Sequence, residues 1–129
     1  MEQDSVSKIK LILELRGKAK LNCELKRHLS PRTVGIISRC LPLEGNAHLL
    51  GNSIAYFETS IESGIDRPRK EFEKGDIAFL PANGSICFFF ENTSSTKTMT
   101  PIGKITSDSA VLQNIKPGDV ILLYTDIGW

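Results

Sequence analysis

Residues 74–91 run Lys74-Gly75-Asp76-Ile77-Ala78-Phe79-Leu80-Pro81-Ala82-Asn83-Gly84-Ser85-Ile86-Cys87-Phe88-Phe89-Phe90-Glu91. Two apolar runs, 77–80 and 86–90, flank Pro81, Ala82, Asn83 and Gly84, the composition of a loop between paired β-strands. The second run holds three of the chain's six Phe residues in succession and is apolar on both faces, so both faces have to be covered. A core can cover one side and a ligand or partner the other. This stretch is the expected middle of the fold.

Upstream, residues 8–25 alternate with period 2. Ile9, Leu11, Leu13 and Leu15 alternate mainly with charge, and Ala19, Leu21, Cys23 and Leu25 alternate with Lys20, Asn22 and Glu24. Arg16-Gly17-Lys18 lies between, so an antiparallel hairpin with one buried face is expected. Ser30-Pro31-Arg32-Thr33 reads as a helix start, with Ser30 as cap and Pro31 at the first position, where a missing N–H loses nothing. Val34, Ile37, Cys40 and Leu41 fall on one helical face, and Pro42 ends the segment.

Residues 43–46 are loop-like in composition, and 48–50 and 53–58 read as strands joined by Gly51-Asn52. The polar stretch 59–75 reads as a long surface excursion holding at most a short ordered piece, and 91–100, rich in Thr and Ser, as a second polar loop. A strand at 101–106, a short helix capped by Ser107 or Asp108, and a last strand at 120–125 complete the pattern. Some seven or eight short strands, mostly adjacent to strands, and two short helices predict a mainly β fold: a closed antiparallel barrel with helices capping its ends.

A chain of 129 residues makes one domain, with residues 1–7 as a flexible tail. A net charge of +1 provides no field to draw nucleic acid or an anionic membrane, so neither is expected as a partner. No apolar stretch reaches the ~20 residues of a membrane span, and the acidic start Met1-Glu2-Gln3-Asp4-Ser5 is unlike a signal peptide, which points to the cytoplasm. The odd set Cys23, Cys40 and Cys87, among apolar neighbours, fits thiols in a reducing compartment. Without a secretory signal, the sequons at Asn83 and Asn92 are read as chance.

The fragments in order resemble the cyclophilin fold. Cys23-Glu24-Leu25 followed by Leu29-Ser30-Pro31-Arg32-Thr33-Val34 is similar to that family's second strand and first helix. Asn83-Gly84-Ser85 with Phe88-Phe89 is similar to its Asn-Gly-Ser-Gln-Phe-Phe, Ile102-Gly103-Lys104-Ile105 to its Phe-Gly-Lys-Val, and the closing Thr125-Asp126-Ile127-Gly128-Trp129 to its final strand. A small group of stand-alone prokaryotic cyclophilin-like proteins of unassigned function is more similar still. Its Tyr-Phe strand, its Gly-Asp-Ile-Ala-Tyr-Trp-Pro segment, its Cys within a Phe-Phe strand and its Ile-Gly-Lys-Ile have counterparts at Tyr56-Phe57, 75–81, 87–90 and 102–105. The resemblance spans roughly residues 8–129.

For cyclophilins it implies prolyl isomerisation, in which an Arg polarises the amide against a barrier of about 18–20 kcal/mol, beside an aromatic pocket edged by Gln, Trp and His. This sequence has no Arg between Gly45 and Asp66. Met99 stands where the pocket His would be, Ser94 near the Trp, and Ile86 or Cys87 at the Gln. One aromatic, Phe88 or Phe89, is retained. Isomerase activity is therefore not the expected one, because a fold does not carry its function with it.

The expectation is a non-catalytic module binding a small molecule or an extended peptide beside the Phe-rich strand, between 59–75 and 91–100. Its expected ligand-binding residues are Tyr56, Glu58, Phe88, Phe89, Met99 and Lys104, with no cofactor. The alternatives are an enzyme of unassigned class using a polar wall of Tyr56, Glu58 and Lys104, and a weak prolyl isomerase. Cys23, His28, Cys40 and His48 match no zinc spacing, so no metal is expected. Gly51-Asn52-Ser53-Ile54-Ala55 lacks the final Gly of a hydrolase elbow. Trp129 reads as a barrel cap or an oligomer contact, and self-association fits any of these functions.

Overall fold

The alternation of residues 8–25 folds as its period requires. In the computed structural model, which describes residues 7–126, β1 (Lys8–Leu15) and β2 (Ala19–Lys26) pair antiparallel from Leu15 opposite Ala19 to Lys8 opposite Lys26. Leu11, Leu13, Leu15, Leu21, Cys23 and Leu25 are all buried in the core, since every second residue shares a face. Gly17 turns the chain at φ +78°, a conformation glycine adopts without a Cβ clash. Of the residues read as a tail, Ser7 is described, and its carbonyl accepts a hydrogen bond from the Arg27 amide (2.8 Å). The rest of that tail and Trp129 lie outside the described residues.

The remaining elements are α1 (Pro31–Cys40), β3 (Leu43–Asn46), β4 (His48–Leu50), β5 (Ile54–Glu58), β6 (Arg69–Phe72), β7 (Asp76–Leu80), β8 (Ser85–Phe89), β9 (Thr93–Ile105), a 3-10 helix (Ser109–Asn114) and β10 (Val120–Thr125). The antiparallel sheet runs β3-β10-β1-β2-β9-β7-β8-β5-β4, with β6 attached to β9. The mainly β antiparallel architecture is as expected, with ten strands instead of about eight and one α-helix with one 3-10 helix among the described residues. The hydrogen-bonded path is open, not closed. Its two ends, β3 and β4, are consecutive strands separated by Ala47, and β3 meets β5 by packing: a Cβ placed on Gly45 lies 2.9 Å from the Phe57 ring.

β7 and β8 form the expected central hairpin, and every residue of both is buried. Pleating divides them between two clusters. Ile77, Phe79, Ile86 and Phe88 enter the inner core, whereas Ala78, Cys87 and Phe89 join an outer cluster with Ile54, Leu80, Phe72 and Met99. Both faces of the Phe-rich strand are thus covered by the chain itself.

Three local expectations are corrected. Residues 43–46 form β3, because β10 supplies backbone partners that composition does not reveal. Residues 93–100 belong to β9, a strand of thirteen residues whose first half pairs with β6 and whose second half pairs with β7 and β2. Ser30 stands at the N-cap position of α1 as expected, but its side chain makes no capping bond: its hydroxyl donates to the Pro101 carbonyl (2.6 Å), and Asp66 Oδ2 accepts from the amides of Arg32 (2.9 Å) and Thr33 (3.3 Å) instead. A carboxylate there satisfies two free donors and opposes the positive end of the helix. Val34 and Ile37 are buried as expected, while Cys40 is exposed. Asp108 caps the 3-10 helix through the Ala110 amide (2.9 Å). Among the described residues, no helix is long and apolar enough to cross a membrane.

Candidate functional site

The segment 59–75 decides what the outer face can do. Its ordered piece, β6, carries three charged residues and then Phe72, and it pairs with β9 at Arg69 opposite Met99, Glu71 opposite Ser94 and Phe72 opposite Thr93. Charge along a strand edge discourages further pairing. The one apolar residue turns inward: Phe72 stacks on Phe89 with centroids 4.5 Å apart and ring planes at 16°. Phe89 is 0% exposed beneath this cover, and Met99 of the same cluster is 1% exposed. The Arg69 guanidinium lies over the Phe72 ring, 5.7 Å from its centroid, within cation–π range.

Beside this cover an open groove of about 600 Å³ is lined by Arg69, Glu71, Phe72, Asp76, Ser94 and Lys104, among others. Asp76 anchors its wall. Antiparallel register sets Asp76 opposite Lys104, and Lys104 Nζ lies 3.2 Å from Asp76 Oδ1. Asp76 Oδ2 accepts from the Glu73 amide (2.8 Å) and lies 4.0 Å from Arg69. The residue is only 8% exposed, and a buried carboxylate persists because both of its oxygens are paired. At the far end the Ser94 hydroxyl donates to Glu71 Oε2 (2.6 Å), and the Lys74 amide donates to Asn92 Oδ1 (2.8 Å). The expected walls, 59–75 and 91–100, both contribute.

The six expected ligand-binding residues are dispersed. Lys104 lines the groove. Phe89 lies under Phe72, Met99 belongs to the same outer cluster, and Phe88 faces the inner core. Tyr56, half-buried, packs against the outer cluster and stacks on His48 with centroids 5.1 Å apart, while Glu58 is exposed at the end of β5. β5 and β9 are separated by β8 and β7, so about 14 Å of sheet divides Tyr56 and Glu58 from Lys104 at about 4.8 Å per strand step. Of the groove residues, only Lys104 is in the expected ligand-binding set; Arg69, Glu71, Phe72, Asp76 and Ser94 are brought beside it by register and packing. Asp76 had one visible signal, a charge opening an otherwise apolar strand, but its partner emerges only from cross-strand register.

Outside the groove, burial pushes the Cys87 thiol up to about 12, and burial with the nearby Glu24 charge does the same for Cys23. The bond from Tyr124 to Glu14 (2.7 Å) raises the phenol, and the bond from Lys18 to Asp119 lowers that carboxyl. Because thiolate is the nucleophile, a disulfide reagent at neutral pH is expected to modify Cys40 alone, with Cys23 and Cys87 reacting only after unfolding. Two or three fast thiols in the folded protein would contradict the buried placement. Linkage gives the matching pH dependence. Folded pKa values raised above the unfolded value of 9.0 stabilise fully below pH 9, and that stability is lost as pH rises towards 12. Each thiol contributes a slope of about −1.4 kcal/mol per pH unit in that window, measurable from denaturant midpoints. Among the described residues, no three His, Cys, Asp or Glu side chains are grouped to hold a metal ion.

A family model described as Cyclophilin-like matches residues 7–124. In structure the chain is similar to a hypothetical protein from Archaeoglobus fulgidus, with a TM-score of 0.76 and 24% identity over 93% of this chain and 96% of that one. It is also similar to McbB, whose structure is known in complex with tryptophan, with a TM-score of 0.78 and 10% identity over 92% of this chain and 45% of that one. At these identities both likenesses concern the fold alone. Comparison with curated protein sequences gives no match.

Proposed function

The chain belongs to the cyclophilin-like family, and we propose that it is a non-catalytic member that binds a small molecule or an extended peptide in the groove between β6 and the outer face of the sheet. Asp76 carries this reading. A buried carboxylate that holds Lys104 and faces Arg69 makes a preformed polar wall, and about 600 Å³ is the size of a small-molecule site. The open, charged lining suits a polar ligand. On this reading the protein works in the cytoplasm, where its three free thiols stay reduced.

Arg69 is the one observation in favour of prolyl isomerisation, since it brings a guanidinium to the aromatic cluster from the 59–75 segment. Its ring partner argues the other way. Phe72 covers Phe89, and Met99 of the same cluster is itself buried, so a prolyl ring has no apolar recess to enter there. The alternative of an enzyme built on Tyr56, Glu58 and Lys104 has no support from their separation across the sheet.

The test is prolyl-peptide exchange and a small-molecule screen on one ¹⁵N-labelled sample. No catalysed cis/trans exchange is expected, and ligand-induced shifts should gather at residues 69–76, 92–94 and 104. Catalysed exchange with shifts around Phe89, or a screen in which no compound moves the groove resonances, would overturn the proposal.

A further inference from the structure

Beyond Arg69, Asp76 and Lys104 the groove continues into a recess of about 190 Å³ lined also by Lys26, His28 and Pro101. Three fixed cations, Lys26, Arg69 and Lys104, meet there with one carboxylate, Asp76, in a chain whose whole net charge is only +1. That carboxylate does not use them up. Asp76 has Lys104 at 3.2 Å and the Glu73 amide at 2.8 Å, leaving Arg69 at 4.0 Å, beyond hydrogen-bond distance. The Arg69 guanidinium makes no hydrogen bond to any described residue, and neither the Lys26 ammonium nor the His28 imidazole has a side-chain partner among them. Asp76 and Phe72 nevertheless hold the Arg69 guanidinium in place, one by charge and one by its ring. Glu71 and Glu73 line the wider groove but not this recess, and Glu24, opposite Lys104 on β2, lines a separate recess with Lys10.

We propose that the recess framed by Lys26, His28, Arg69 and Lys104 is a subsite for an oxyanion, the carboxylate or phosphate end of the ligand. A guanidinium with unspent planar donors matches the paired oxygens of either group, and an ammonium on each side adds charge without demanding one geometry. Asp76 acts as a positioning residue: it keeps the cations together while the ligand is absent. This inference rests on the groove being the binding site.

The test is an NMR titration of the full chain with inorganic phosphate and, separately, with acetate, against chloride at matched ionic strength. Saturable shifts are expected at Arg69, Lys104, Gly103 and His28. Arg69→Gln and Lys104→Gln should each weaken the response about tenfold, the scale of losing one charge-assisted pair, while Lys97→Gln on the exposed strand should leave it unchanged. Lys26→Gln, which touches neither Asp76 nor Phe72, provides a weakened variant whose packing is undisturbed. Tighter phosphate binding would identify a phosphate ester as the source, and tighter acetate binding a carboxylate. Shifts no larger than those with chloride, or equal loss in Lys97→Gln, would overturn the subsite. A neutral compound that moves the groove resonances when neither anion does would leave the binding groove standing and remove only the oxyanion, whereas silence to every compound would remove both.

Discussion

Replacing Gly103 by Ala is expected to lower the stability of the fold by about 3 kcal/mol or more, at the upper end of what overpacking does. A Cβ on Gly103 runs into the Glu24 carbonyl oxygen and lies 3.0 Å from Leu25 Cα and 3.1 Å from the Glu24 carbonyl carbon. All three are backbone atoms of β2, so no side chain can swing aside. The added methyl also falls on the seam of the sheet. β2 and β9 share only the pairs Cys23–Ile105, Glu24–Lys104 and Leu25–Gly103, yet they join the β3-β10-β1-β2 half to the β9-β7-β8-β5-β4 half. A chain held together by roughly 5–15 kcal/mol has little margin for separating these strands. Gly64→Ala is the control: nothing lies within 4 Å of the added Cβ, and the denaturant midpoint should scarcely move. A Gly103→Ala loss below about 1 kcal/mol would mean that β2 and β9 are not so closely apposed.

The parts of this architecture legible in the residues are those whose pattern is local. Period 2 on both sides of Gly17 specifies a hairpin wherever it lies in the fold, and Pro81 to Gly84 between two apolar runs specifies the turn of β7 and β8. What stayed hidden depends on partners distant in sequence. The first half of β9 is Thr, Ser and Lys, a loop by composition, and it becomes a strand because β6 lies against it. Asp66 caps a helix that begins more than thirty residues earlier, a relation no capping motif can announce. The site follows the same division. Lys104 and the two polar segments were recognisable, but the pairing of Lys104 with Asp76 is a matter of register. Phe72, a single aromatic among charges, gave no sign that it would cover Phe89 in place of a ligand.

Phe72→Ala is expected to cost about 3–5 kcal/mol, the usual range for deleting a buried Phe. Phe72 is 3% exposed and is the only side chain that β6 contributes to the outer cluster, since Arg69, Lys70 and Glu71 are exposed. Without it β6 keeps its hydrogen bonds to β9 but loses its apolar hold on the sheet. Amide exchange should therefore quicken at residues 69–72 and 93–98, while the β1–β2 hairpin, buried in the inner core, continues to exchange by global unfolding. Phe72→Leu should recover more than half of the lost stability, because a smaller apolar side chain still covers Phe89. The functional consequence follows from the same geometry. Removing the ring uncovers Phe89 in the outer cluster below Arg69, so prolyl peptides are expected to shift the resonances of Phe89 and of its cluster neighbour Met99 in the variant and not in the parent. If Phe72→Ala leaves both stability and exchange unchanged, Phe72 does not close that face, and the groove would have to be sought beneath β6 instead of beside it.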